Sequence, residues 1–274
     1  MNSITSFYKP NVFNTSAVTS STLSNSLPVT TNLRFWLDAD DPYRNRTKPI
    51  GDTDLATWLD KSTYNLTASA VTGASTATTM QWQSSGFNSS YPCFNFQGRS
   101  AFKRFVGQFT GGSAITGTNA MYVFVVATQN STEVGGGATS EFAARFIAMS
   151  QNNLGIDYDL DTCWGFLRQS GTGMGPYRHA VYLANNPSSY NVPTVWQAGF
   201  TGTQSKASFL NGNSTVTNSA SNTMGNFNIN YYAIGGATAY TDGPSYLTGK
   251  MSEILIYSGT LTATQIAQIE GYLA

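Results

Sequence analysis

The closing stretch Gly249–Ala274, GKMSEILIYSGTLTATQIAQIEGYLA, constrains the fold more than any other part of the chain. Met251–Tyr257 is apolar and rich in β-forming residues, which predicts a strand, and Ser258-Gly259 ends it. Thr262 stands as a helix N-cap with Gln265 three residues on, the spacing of a capping box. Leu261 before the cap and Ile266 four residues after it are spaced as a hydrophobic staple. Ile266, Ile269, Tyr272 and Leu273 share one helical face. Ile254-Leu255-Ile256 is an unbroken apolar run, whereas a strand with one wet face would alternate. A second layer is therefore expected over this strand, with the helix as its nearest cover.

The rest of the chain reads as short strands between turns. Leu33–Leu37 is a strand turned by Asp38-Ala39-Asp40-Asp41-Pro42, and Leu55–Lys61 is the next apolar patch. Short strands are expected at Thr79–Gln83 and Cys93–Gln97, the second setting Cys93, Asn95 and Gln97 against Phe94 and Phe96. Met121–Ala127, MYVFVVA, is the most apolar run; its β-branched residues and short length predict a central strand. Further strands are expected at Ala144–Met149, Leu154–Tyr158, Cys163–Arg168, His179–Ala184, Thr194–Phe200, Lys206–Leu210 and Tyr231–Ile234. Asn211-Gly212 is a hairpin signal. No repeat or linker divides the chain, so many short strands with one terminal helix predict a two-sheet sandwich.

Composition agrees with that architecture. Charged residues make up only 10% and formal net charge is zero, while aromatics reach 13%. A disordered chain would be charged and poor in aromatics. A neutral chain has no electrostatic footprint for nucleic acid. No apolar run approaches the roughly 18 residues of a membrane span, and the N-terminus has no apolar segment of the signal-peptide kind. Composition of a secreted type without an export signal leaves two origins. Either a signal was removed and a Met put in its place, or the protein is assembled inside a cell into something that later leaves it. Residues 1–31 hold one charge, Lys9, with Phe7, Tyr8 and Phe13 scattered without a period; they read as an arm ahead of a domain over 32–274. Cys93 and Cys163 are expected as buried free thiols, with one bridge between them as the alternative. Sequons at Asn14, Asn45, Asn65, Asn88, Asn130 and Asn213 are what chance delivers in so much Asn, Ser and Thr.

The landmarks LRFWLDADDP, WLDKS, PCFNFQG, FVVAT, FLNG, YAIGG and MSEILIYSGTLTATQIAQIEGYL, in that order over about residues 32–274, resemble a laminin-G-like, concanavalin A-like jelly-roll module. The resemblance implies an all-β fold: a two-sheet antiparallel jelly-roll sandwich, one sheet concave, closed by the last strand and one C-terminal helix. Such modules occur in secreted bacterial proteins, adhesins and the structural proteins of phages and large viruses, with binding, structural and enzymatic members, so fold alone does not select a function. It also places Trp36 and Trp58 in the core. Trp82, Trp164 and Trp196 are expected to be buried in preference to serving as sugar platforms.

Known chemistries find little to hold. Glucanases of this fold carry Glu-x-Asp-x-x-Glu on one strand; the chain has only Glu133, Glu141, Glu253 and Glu270, and none begins that pattern. Asp157, Asp159 and Asp161 form the densest acidic cluster, but Thr162 and Arg168 fall where an EF-hand needs Gly and Glu. A looser calcium site there, or at Asp38, Asp40 and Asp41, stays open, although an Asp-rich turn needs no metal. The lone His179 has no G-x-S-x-G serine to serve, and it and the two cysteines lack zinc spacing. Gly171-Thr172-Gly173-Met174-Gly175 lacks the lysine of a phosphate loop and reads as a connector. No catalytic, cofactor or metal residue is assigned.

The resulting expectation is a non-catalytic structural or interaction protein: a virion capsid or tail component contacting other structural proteins of an assembly. The alternative is a carbohydrate-binding module of an extracellular protein, with glycans as partners, and a glycan hydrolase ranks third.

Overall fold

The closing strand and its neighbours organise the molecule. The computed structural model describes residues 27–72, 76–87, 89–98, 101–117, 120–129, 143–151, 163–169, 173–178, 181–182, 191–201, 204–209, 227–236 and 246–274. In chain order their strands are β1 (Leu33–Asp38), β2 (Thr53–Leu55), β3 (Thr57–Leu59), β4 (Thr67–Thr72), β5 (Thr76–Ala77), β6 (Met80–Phe87), β7 (Tyr91–Gln97), β8 (Lys103–Gln108), β9 (Ile115–Gly117) and β10 (Met121–Gln129). They continue as β11 (Ala143–Ser150), β12 (Cys163–Gln169), β13 (Gly173–Arg178), β14 (Val181–Tyr182), β15 (Thr194–Thr201), β16 (Gln204–Phe209), β17 (Phe227–Ile229), β18 (Tyr231–Ile234) and β19 (Thr248–Ser258). One α-helix among the described residues, α1 (Ala263–Leu273), follows.

The strands form two antiparallel sheets packed as a sandwich, as expected. The first runs β16-β15-β10-β19-β7-β6-β2, with β1 also on β19; the second runs β14-β13-β12-β11-β18-β8-β4-β3, with β5 on β4. A short β17–β9 ladder stands apart. β10 is central because both its faces are covered. Met121, Val123, Val125 and Ala127 enter the core between the sheets, while Tyr122 and Phe124 enter a second cluster on the first sheet's outer face. β19 divides in the same way, with Met251, Ile254 and Ile256 inward and Leu255 and Tyr257 outward.

The helix supplies that outer cover. Thr262 and Gln265 form the reciprocal capping box. Leu261 and Ile269 are buried in the outer cluster, with Ile266, Tyr272 and Leu273 packed against it. Gly259 makes the tight turn between strand and helix at φ 121°, a region open to glycine and costly for other residues. Leu27 and Val29, at the end of the stretch read as an arm, are buried in this cluster, and the Tyr257 hydroxyl donates to the Val29 carbonyl at 2.9 Å. The aromatic anchors Phe7, Tyr8 and Phe13 lie outside the described residues.

Three local readings change. The apolar patch Leu55–Lys61 divides between two strands in different sheets, the last residue of β2 and the whole of β3, because Thr53–Leu55 pairs with β6 and Thr57–Leu59 with β4. The glycine run read as a connector becomes strand from Gly173, paired to β12. Strands β4, β5, β8, β9 and β17 fall outside the expected strands; in the two longest, Ser69 and Thr72, and Lys103 and Gln108, dilute the apolar pattern. The strand expected at Leu154–Tyr158 and the turn at Asn211-Gly212 lie outside the described residues.

Candidate functional site

β19 changes neighbours part-way along one edge. Lys250 and Met251 pair with Asn95 and Phe94 of β7, whereas Glu253 and Leu255 pair with Asp38 and Trp36 of β1. Along its other edge β10 runs throughout, but Ala127 pairs with Met251 and Val126 with Glu253, leaving Ser252 as the extra residue of a β-bulge. Side chains alternate along a strand, so Glu253 would have followed Met251 into the core. The bulge turns it to the outer face instead. Ser252 stitches the junction: its carbonyl accepts from Ala39 N–H at 2.8 Å and its hydroxyl donates to the Pro92 carbonyl at 2.9 Å.

Where β1 and β7 meet at this bulge, a cleft of about 520 Å³ opens. Asp38 and Asp40, the β6–β7 hairpin residues Phe87, Tyr91 and Pro92, Thr194 of β15, and the end of α1 at Tyr272 line it around Ser252 and Glu253. The volume falls within the range of roughly 300–1,000 Å³ usual for small-ligand sites. Tyr91 is 64% exposed, so its ring faces solvent at the cleft.

Acidic groups form part of the cleft wall. Trp36 Nε1 donates to Glu253 Oε1 at 2.8 Å and the Tyr272 hydroxyl also bonds this carboxyl. Burial, helped by the nearby Asp38, pushes Glu253 up to about 8, against the pull of these hydrogen bonds and Lys61. Most of Glu253 is therefore protonated at neutral pH. Burial also raises Asp38, partly offset by Lys61. The Lys61 ammonium sits 2.7 Å from Asp38, 3.5 Å from Asp41 and 4.3 Å from the centre of the Trp36 ring. Tyr272 meets Trp36 edge-on, with centroids 6.5 Å apart. Trp36 is thus occupied on a face, an edge and its N–H, which leaves Tyr91 as the exposed ring of the cleft.

Asp60 holds this wall in place. Its carboxylate accepts from Trp36 N–H at 2.8 Å, Ser62 N–H at 2.9 Å, the Ser62 hydroxyl at 2.6 Å and Leu66 N–H at 3.0 Å, and Lys61 N–H donates to the Trp36 carbonyl at 2.7 Å. The loop after β3 is thereby tied to β1 at the residue that caps Glu253.

The residues singled out from sequence separate clearly. Trp58, Trp82, Trp164 and Trp196 are buried between the sheets; Trp36 is buried too, but in the outer cluster. The Asp-rich turn is satisfied by the chain: Asp38 accepts from Asp40 N–H, Asp40 pairs with Lys48, and Asp41 accepts from Asn45 and Arg46 N–H. Cys93 is a buried free thiol, its pKa raised to about 12 by burial. Asp157, Asp159, Asp161 and His179 lie outside the described residues. Among the described residues no group of three or more His, Cys, Asp or Glu is arranged to hold a metal, and no helix is long and apolar enough to cross a membrane. Sequence reasoning passed over Tyr91 and Thr194. The alternation in β7 was the available signal for Tyr91, since it continues the series Cys93, Asn95 and Gln97 by one step.

No family model and no curated protein matches the sequence. Solved structures do match the fold. A Trypanosoma rangeli sialidase in complex with sialic acid is 11% identical, with a TM-score of 0.52 over 89% of this chain and 33% of that one. The chain thus spans about a third of the sialidase it matches. A structure of botulinum neurotoxin type C, described as dependent on two ganglioside molecules for entering cells, is 12% identical with a TM-score of 0.56, over 89% of this chain and 52% of that one. Domain 4 of a GH43 extracellular arabinanase from Geobacillus stearothermophilus, in complex with arabinotriose, is 10% identical with a TM-score of 0.54, over 87% of this chain and 98% of that one. At such identities the likeness concerns the fold. It corrects the expectation of a non-catalytic chain: missing glucanase and triad motifs were its ground, and the fold is shared with chains of glycan-processing enzymes that the search for those motifs did not cover.

Proposed function

We propose that the domain binds glycan in the cleft at the Ser252 bulge. The observation that carries this reading is the exposed Tyr91 ring beside a wall of carboxyl and hydroxyl groups, Asp38, Asp40, Glu253, Ser252 and Thr194. A sugar offers an apolar face of C–H groups and an equator of hydroxyls. A ring takes the first, and fixed acceptors and donors take the second. A protonated Glu253 adds a donor where a carboxylate could only accept. The arabinanase domain supports the reading, because the chain covers nearly all of that glycan-bound structure. One stacked ring at about 1 kcal/mol with three or four hydrogen bonds at about 1 kcal/mol each gives a dissociation constant on the order of 1 mM.

Titration calorimetry and ligand-observed NMR with a panel of oligosaccharides test this. Binding lost in Tyr91→Ala with the thermal unfolding midpoint unchanged supports the reading; full binding retained in that variant overturns it. A second reading, cleavage of a glycosidic bond, has one specific observation in its favour: Glu253, held protonated, pairs across the strands with Asp38, and acid and base carboxyl pairs serve that chemistry. Chromatography of the same mixtures reports any turnover, which this second reading requires Glu253→Gln to abolish.

A further inference from the structure

The outer face of the first sheet is only half covered by α1. Its other half carries a row of polar side chains that crosses the strands beside the cleft, two residues along β19 from Ser252. In register, Thr128 of β10 faces Lys250 of β19, Lys250 faces Asn95 of β7, Asn95 faces Gln81 of β6, and Gln81 faces Asp54 of β2. Gln83 lies beside the row on β6, and Tyr91 shares the outward parity of Asn95 on β7. The amides are held by one another: Gln81 Oε1 accepts from Asn95 Nδ2 at 2.8 Å and from Gln83 Nε2 at 3.3 Å. That arrangement leaves the Gln81 donor and the Asn95 acceptor to a ligand. The Lys250 ammonium is already engaged by the Gly86 carbonyl at 2.9 Å.

We propose that this strip extends the glycan site, so that the domain takes the interior of a linear, uncharged polysaccharide lying across β19, β7 and β6 in preference to a chain end. The inference rests on the glycan-binding reading of the cleft. Three features favour this occupant. Neighbouring strands lie about 4.8 Å apart, close to the repeat of one sugar in an extended chain, so one polar side chain meets each unit. Amides pre-positioned by mutual hydrogen bonds suit hydroxyl groups, which both donate and accept. Asp38 and Asp40 in the cleft and Asp54 at the β2 end of the row outnumber the one lysine of the row and so disfavour an acidic chain.

The test uses the full chain with arabinan-, xylan- and cellulose-derived oligosaccharides of two and six units, and a polygalacturonate hexamer as the acidic counterpart. For one neutral series the hexamer is expected to bind at least about tenfold more tightly than the dimer, as two further hydrogen bonds allow. Gln81→Ala with Asn95→Ala should bring the hexamer to the level of the dimer and leave the dimer unchanged. Asn95→Asp, which keeps shape and adds charge, should do the same if the alanine pair does not fold. Equal affinity for dimer and hexamer, or preference for the acidic hexamer, overturns the strip while the cleft reading stands. Absence of binding by every glycan overturns both.

Discussion

Glu253→Gln is expected to reshape the dependence of stability on pH. Gln keeps an acceptor for Trp36 Nε1 and the Tyr272 hydroxyl and removes the ionisation. In the folded wild type the carboxyl titrates at about 8, against 4.5 for an unperturbed side chain. Between those values the native state holds a proton that the unfolded chain has released, so wild-type stability falls as pH rises through the window from about 4.5 to 8. The ceiling on this loss, at about 1.4 kcal/mol for each tenfold change, is about 4–5 kcal/mol. Glu253 keeps some contact with solvent at the cleft, which screens its charge, so we expect about 2 kcal/mol. Asp38 and Lys61 face the same carboxyl, and Lys61 tempers the loss by favouring its ionised form. Urea denaturation at pH 5, 7 and 9 measures the effect. The variant should match the wild type at pH 5 and exceed it by about 2 kcal/mol at pH 9. Parallel profiles for the two proteins across that range would refute a protonated carboxyl at this site.

Other perturbations follow from the same contacts. Asp60→Ala removes the acceptor of four hydrogen bonds at a fully buried position, and should cost about 3–5 kcal/mol in denaturant unfolding. Leu261→Ala and Ile266→Ala should each destabilise the domain by roughly 1–3 kcal/mol, and a double-mutant cycle should show coupling because both belong to the outer cluster. Thr262→Ala breaks the capping box and should cost about 1 kcal/mol, read from the same unfolding curves. Tyr91→Ala should leave stability within about 0.5 kcal/mol, since its ring is mostly exposed, while removing glycan binding.

How far the sequence alone reaches is clearest along β19 and α1. Local signals decided that Met251–Tyr257 would be strand and that a capped helix would follow, because alternation, capping spacing and staple spacing are contacts between residues near in sequence. The unbroken Ile254-Leu255-Ile256 run even foretold a strand covered on both faces, and the apolar character of Met121–Ala127 foretold a central one. The direction of Glu253 was beyond such signals. It depends on a bulge at Ser252, and the bulge sits where one edge of β19 passes from β7 to β1. The partner that receives the carboxyl, Trp36, stands 217 residues away. Periodicity reports which residues share a face of one strand; it carries no information on which strand lies alongside or where register slips. The cleft and the polar strip exist only through those pairings, so tertiary structure decided them, whereas the residues that fill them had been in view on each strand all along.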